Sequence, residues 1–351
     1  MDKNISSLEK SPLFHFSLHA KELFHSNFLE WIARDSELNH LFKAIMKIFG
    51  VAEMAEGFEV LRERQNLDLI VKDSGEKWYA VIENKVKSVP SKEQLKEYTD
   101  KIEKHSGDDS ESVKKILLTL ADDQPALAEG WRHFTYSDII PILEDALPQV
   151  ENSYKKAIIS DYIAMVKGLT GIVNDIDVSD ECKYLFTPCE KIEKLRIGDM
   201  IDKYRASRIA RSITSKYNLT CKSGYTNKQS LIEFFREIND MSIGVQIQGS
   251  QYRHCFIDKS GQKESDLVSK SNGFLCAARK EFRSKMLQQF PDVFCAKEVK
   301  GEQKRSFCSY VGKDGKTFWY QYVTIKPEAT IAQVIECVVK DAEYLMTKYK
   351  I

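Results

Sequence analysis

The sequence predicts a mixed α/β domain over residues 1–175, followed by a basic α+β domain over residues 176–351. Three observations carry this reading. Strand-like runs in the first half are flanked by segments of helical apolar spacing, the pattern of a mixed sheet wrapped by helices. Apolar periodicity then fades between Gly171 and Asp180, where Asp175, Asp177 and Asp180 cluster. Charge divides at the same place. Residues 1–176 hold 22 Lys+Arg against 30 Asp+Glu, and residues 177–351 hold 30 against 22, so halves of −8 and +8 sum to the net zero of the chain. At 351 residues, two domains are also the better expectation on length alone.

The elements follow in order. Residues 20–49 read as helix, with Leu23, Phe24, Phe28, Leu29, Ile32, Leu41, Ile45 and Ile48 at helical spacing. Strands are expected at 58–61, 67–71 and 78–86, the last after a turn at Asp73, Ser74 and Gly75. Pro90 opens a polar helix running to about Lys104. Residues 114–121 read as a buried strand and 131–136 as a short one, and Ser137 can cap the helix after it. Residues 151–169 form a further amphipathic helix.

In the second half, 190–215 reads as a helix carrying Lys203, Arg205, Arg208 and Arg211. Residues 242–258 alternate like paired strands, and 275–290 read as a helix with Arg279, Lys280, Arg283 and Lys285. Strands at 294–299, 306–311 and 317–325, the last two joined by a turn at 313–315, and a helix at 331–349 close the chain. The aromatic run from Phe318 to Tyr322 reads as strand core rather than as a base-stacking platform.

Composition narrows the function classes. Hydrophobic content of 42% with 30% charged residues fits a globular protein, and no apolar run approaches the roughly 20 residues of a membrane helix. The segment after Met1 lacks a basic stretch followed by an apolar one, so no secretory signal is expected. All 8 cysteines lie in the second half, none in a C-x-x-C pair, and the nearest two are Cys182 and Cys189. That spacing suits reduced thiols in a cytoplasm better than a disulfide, zinc or iron–sulfur framework. His15 and His19 lack the intervening Glu of a zinc protease. The basic half suits a polyanion partner, since phosphate contacts supply most sequence-independent affinity for nucleic acid.

Asp68, Glu83 and Lys85 carry the chemistry. Strand side chains alternate, so Glu83 and Lys85 share a face while Asn84 points the other way. Asp68 begins the preceding strand across a hairpin-like connection. Val81, Ile82 and Val86 around them are apolar, and charges in such a strand are costly unless paired or bound to a metal. Two carboxylates with a lysine suit phosphodiester hydrolysis. Oxygen-bound Mg²⁺ neutralises the phosphate and acidifies water, and a lysine orients that water, helps deprotonate it or stabilises developing charge.

These residues resemble the PD-(D/E)xK nuclease superfamily. The matching motifs are Asn66, Leu67, Asp68, Leu69, Ile70 and Val71, then Val81, Ile82, Glu83, Asn84 and Lys85. Leu67 stands where the family name has Pro. Glu22, His25, Ser26, Phe28, Leu29 and Trp31 are similar to the opening helix of a bacterial group in that superfamily, and Gln94 with Tyr98 to the Q-x-x-x-Y element of RecB-like nucleases. The likeness covers roughly residues 18–145. It implies a restriction-endonuclease-like mixed sheet flanked by helices, with Mg²⁺ (Mn²⁺ as a substitute) held by Asp68 and Glu83. It also implies a contribution of Glu22 and His25 to metal or phosphate, and Gln94 and Tyr98 steadying the lysine or a phosphate.

Arg62 is a further candidate for phosphate contact, as are Arg205, Arg208, Arg211, Arg279 and Arg283 on the basic helices, with edge charge between strands for Arg62 and solvated helix faces for the others as the alternative reading. The expected activity is a cytoplasmic, metal-dependent nuclease, with DNA the favoured substrate and bacterial anti-phage defence a plausible setting. The rival is a catalytically silent nuclease-fold DNA-binding or scaffold subunit of a larger complex. A homo-oligomer and a defence-complex partner both stay open.

Overall fold

Apolar spacing and turn chemistry account for the elements of a computed structural model that describes residues 1–17, 21–86, 92–123, 125, 127–258, 266–296, 307–312 and 315–349. The chain divides into two units. One comprises Met1–Ile176 with Cys189–Met200, the other Asp177–Pro188 with Ile201–Ile351.

The first unit holds α1 (Asp2–Lys10), α2 (Pro12–Ser17), α3 (Lys21–Arg34), α4 (Asn39–Ile48), β1 (Glu59–Arg64), β2 (Leu67–Lys72), β3 (Trp78–Lys85), α5 (Lys92–Ser106), β4 (Lys114–Thr119), β5 (Trp131–Thr135), α6 (Tyr136–Ala146), α7 (Ser153–Asn174) and α8 (Glu190–Leu195). Its five-stranded sheet runs β1-β2-β3-β4-β5. The first three strands are antiparallel, and β4 and β5 add in parallel. This is the mixed sheet flanked by helices that the sequence predicts.

The face bearing Ile70, Val81 and Leu117 packs under Leu95, Tyr98 and Ile102 of α5. Apolar burial on this face, at about 25 cal/mol per Å², anchors the helix that carries Gln94 and Tyr98. The Trp131 indole also donates to Thr99 Oγ1 at 2.9 Å, tying α5 to β5.

The expected helix 20–49 is two helices. Asp35 turns the chain between them, its carboxylate accepting from the Glu37 amide at 3.0 Å and pairing with Lys155 at 2.7 Å. The short α1, absent from the sequence reading, buries Ile5 and Leu8, and the same Leu8 side chain lies 2.9 Å from where a Cβ on Gly168 of α7 would stand. Two apolar positions are too few to register as periodicity. The cap of α6 is Thr135, not Ser137: Thr135 forms a capping box with Asp138. Helix α7 extends four residues into the segment read as a break, to Asn174, because Ile172 and Val173 stay buried; the rest of that segment is not helical, and the two units divide within it, after Ile176.

The second half contains α9 (Gly198–Tyr217), β6 (Lys222–Thr226), β7 (Gln229–Ile238), β8 (Met241–Gln248), β9 (Gln251–Asp258), α10 (Leu267–Lys270), α11 (Arg279–Gln289), β10 (Phe294–Cys295), β11 (Cys308–Val311), β12 (Thr317–Ile325) and α12 (Ile331–Lys348). The seven strands form one sheet, β10-β12-β9-β8-β7-β6, with β11 also on β12. All its pairings are antiparallel.

The expected helix 190–215 is α8 and α9, separated by Arg196 at φ +52°. The hairpin β6–β7 carries no ordinary turn signal in the sequence. Asn227 and Lys228 both take positive φ (50° and 60°), the geometry of a two-residue hairpin turn without the glycine that usually signals it. Helix α11 begins at Arg279, later than position 275. Pro90, residues 297–299, Ser306 and the turn residues 313–314 lie outside the described residues.

Candidate active site

The face of the first sheet that packs under α5 changes character at its end. Leu69 pairs with Ile82 and Ile70 with Val81. One step further, Asp68 stands opposite Glu83 and projects from the same face, and Lys85 follows two positions on. The structure therefore brings the three together.

Glu83 is 1% exposed. Its Oε1 pairs with Lys85 Nζ at 2.7 Å, and its Oε2 is buried without a hydrogen-bond partner. Burial, then the charge of Asp68, pushes the Glu83 carboxyl up to about 7, with Lys85 and Tyr98 opposing. Burial also raises Asp68, against the pull of the Asn84 amide and of Lys85. For Lys85, burial works against the charge, but Glu83, Glu22 and Asp68 outweigh it and hold the ammonium above its usual value. Lys85 is thus a standing cation, suited to stabilising negative charge rather than accepting a proton.

Asn84, on the opposite face, fixes the pair in place. Its backbone N–H donates to Asp68 Oδ2 at 2.8 Å. Its fully buried carboxamide donates to the Glu22 carbonyl and Ser26 Oγ, each at 3.3 Å, and accepts from the Tyr136 hydroxyl at 3.0 Å. One residue joins β3 to α3, α6 and the first acid. Alternation along the strand gives only the direction of this side chain; an amide inside an apolar strand is the sequence signal that it has buried partners.

Gln94 Nε2 donates to the Tyr98 hydroxyl at 2.7 Å. That contact occupies the phenolic oxygen and leaves its O–H to point toward Glu83. Burial, then the Glu83 charge, pushes the phenol up to about 12, so it stays a donor.

Glu22 sits on the turn of α3 held by Asn84, and its charge is felt at Asp68 and Lys85. His25 lies one turn along α3 in an aromatic pocket. It is buried, its Nδ1 is 2.9 Å from the Tyr162 hydroxyl, and its ring packs on Tyr136 and Tyr162. Burial lowers it to about 3, so the ring is neutral and its surroundings are those of a packing residue.

Arg62 is engaged by Glu30 and Asn27 of α3. Arg205 donates to the carbonyls of Asp177 (2.9 Å), Lys183 (2.7 Å) and Tyr184 (3.4 Å), holding that segment. Arg279 is buried, reaches Cys308 Sγ at 2.6 Å, and with Arg283 lies over the Tyr322 ring. Arg208 and Arg211 are half-buried on α9 and also have partners.

Among the described residues, no group of three or more His, Cys, Asp or Glu could form an all-protein metal cage. Asp68 with Glu83 offers the smaller donor set that Mg²⁺ takes, one or two carboxylates with water and phosphate completing the octahedron. The unpartnered Glu83 Oε2 fits a cation ligand.

Residues 13–164 match the family model of the PD-(D/E)XK nuclease superfamily. The match contains the whole of the paired-carboxylate site and, in superfamily terms, implies nucleic-acid hydrolysis. Comparison with curated proteins and with solved structures gave no match. No helix among the described residues is long and apolar enough to cross a membrane.

Proposed function

We propose that the chain is a divalent-metal-dependent nuclease that hydrolyses phosphodiester bonds in DNA. The observation that carries this reading is Glu83: a buried carboxylate opposite Asp68, paired on one oxygen with Lys85 and unsatisfied on the other. Asp68 and Glu83 would hold Mg²⁺, which when bound neutralises the phosphate and acidifies water. Lys85 keeps its charge and would steady the negative charge that builds on the phosphoryl oxygens as the attacking oxygen bonds to phosphorus. Tyr98, oriented by Gln94, donates toward the carboxylate and keeps it aimed. Glu22 adds a third negative charge at the edge of the site. His25 contributes through packing. The anti-phage setting rests on the likeness of residues 22–31 to a bacterial group of the superfamily.

Purified protein should cut DNA with Mg²⁺ or Mn²⁺ and not with EDTA. Lys85→Ala and Glu83→Gln should each lower cleavage by about 10²-fold or more while circular dichroism stays native. Absence of cutting of DNA and RNA under every metal condition would remove the enzyme reading and leave the scaffold alternative.

A further inference from the structure

The antiparallel sheet of the second unit has one helix-covered face and one face bearing a groove. Val323 of β12 and His254 of β9 point to the covered side, where His254 meets Asp341 of α12 at 2.7 Å. Gln321 points the same way and exchanges hydrogen bonds with Cys276 at 3.0 and 2.8 Å. The alternate residues Phe318, Tyr320 and Tyr322 point to the other side. The expectation that this aromatic run is strand core holds for Phe318 and Tyr322, which are buried, while Tyr320 is only half-buried.

The strand registers lay out that second face. Lys222, Glu233, Gln246, Arg253 and Tyr322 form one transverse row over β6, β7, β8, β9 and β12. Phe235, Gly244, Cys255 and Tyr320 form the next, and Phe318 with Tyr310 lies beyond. Gly244 has no room for a side chain, because the β7 backbone at Phe234 and Phe235 occupies the place where its Cβ would stand. This face bears a groove of about 680 Å³.

Its floor is built rather than incidental. Arg253 is 7% exposed and Gln246 is 5% exposed. The guanidinium donates to Gln246 Oε1 at 2.8 Å and to Gln251 Oε1 at 2.6 Å, and lies 4.5 Å over the Tyr320 ring. Gln246 Nε2 donates in turn to Glu233 Oε2 at 3.3 Å. At the rim, Tyr310 is 49% exposed and stacks on Phe318 at 4.8 Å.

We propose that this groove binds a base of single-stranded nucleic acid. The chemistry of the lining selects that occupant. Its charges balance, Lys222 and Arg253 against Glu233 and Glu237, so it offers little net attraction to a phosphate chain. Tyr310, half-exposed and backed by Phe318, offers an outer ring face suited to stacking on a planar ring, with Tyr320 held beneath by Arg253. Gln248 and Asn227 on the groove's lining carry carboxamides, whose paired donors and acceptors match base edges, while Gln246 is held by Arg253 and Glu233 as part of the floor. The groove thus adds a reading function at a place separate from the paired carboxylates. The proposal rests on the nuclease reading only for the source of the base.

Binding is measured in EDTA, where the nuclease reading is not engaged, by anisotropy of labelled single-stranded 12-mers. Base-bearing strands are compared with an abasic strand of equal phosphate count. Wild type should bind base-bearing strands about tenfold more tightly than the abasic one. Tyr310→Ala, a surface change, and Tyr320→Leu should each remove most of that difference and leave abasic binding unchanged. The preference should also survive added salt, because the groove is neutral. Equal binding of base-bearing and abasic strands by wild type, an undiminished preference in both variants, or no binding of any strand would overturn the proposal. Metal-dependent cutting is scored separately, so either reading can fail alone.

Discussion

Burial and the neighbouring Asp68 charge move Glu83 from an ordinary 4.5 up to about 7. Between those values the folded, metal-free protein keeps a proton that the unfolded chain has released. The stability contributed by Glu83 is therefore full below pH 4.5 and is lost as pH rises to about 7. A cation and a proton compete for this carboxylate. Mg²⁺ affinity, followed by calorimetry, should climb about tenfold per pH unit up to near 7 and then level. A flat profile from about pH 5.5 to 8 would contradict the assignment of Glu83 as a ligand. His25 runs the opposite way. Its pKa falls from 6.5 to about 3 on burial, so the unfolded chain takes up the extra proton and stability is lost as pH drops below 6.5. His25→Gln should flatten the acid limb of the melting temperature and leave Mg²⁺ affinity within about twofold.

Strand β3 delivers Glu83 and Lys85 on one face and Asn84 on the other, so one element both bears the chemistry and fastens it. Asn84→Ala would leave the buried Tyr136 hydroxyl without its acceptor and cut the links to α3. Denaturant titration should show a loss of about 1–3 kcal/mol, with cleavage falling as well because Asp68 and Glu83 are less well placed. On α9, Arg205 caps three carbonyls of the 177–184 segment. Arg205→Ala should lower stability while leaving DNA affinity within about twofold, since this guanidinium is already committed. These roles were half legible in the sequence. Alternation and apolar neighbours marked β2, β3 and their acids. The three carbonyls around Arg205 come from a segment more than 20 positions away, and no local pattern predicts that.

At the scale of the whole chain, charge is unevenly allotted: −8 in residues 1–176 and +8 in residues 177–351. If the basic half grips the nucleic-acid backbone, affinity for DNA in EDTA should fall steeply with salt, with a log–log slope of about −0.9 per phosphate neutralised. A slope near zero would assign those charges to solvation and internal pairing, as already holds for Arg205 and Arg279. The base preference of the second sheet should persist where backbone affinity has been screened away.

The sequence by itself determined the identities and parity of Asp68, Glu83 and Lys85, the spacing of Gln94 and Tyr98, and the mixed α/β character of the first half. These are local properties: alternation along a strand and one turn along a helix. Only the tertiary structure decided that Glu83 keeps an unsatisfied oxygen, that Asn84 is a clamp, and that His25 faces aromatic rings. It also decided that Phe318 and Tyr320 line a groove while Gln321 and Val323 face the helix-covered side. Each of these depends on which distant element packs on which face, and burial, which sets the charge state of Glu83, exists only once those faces have met.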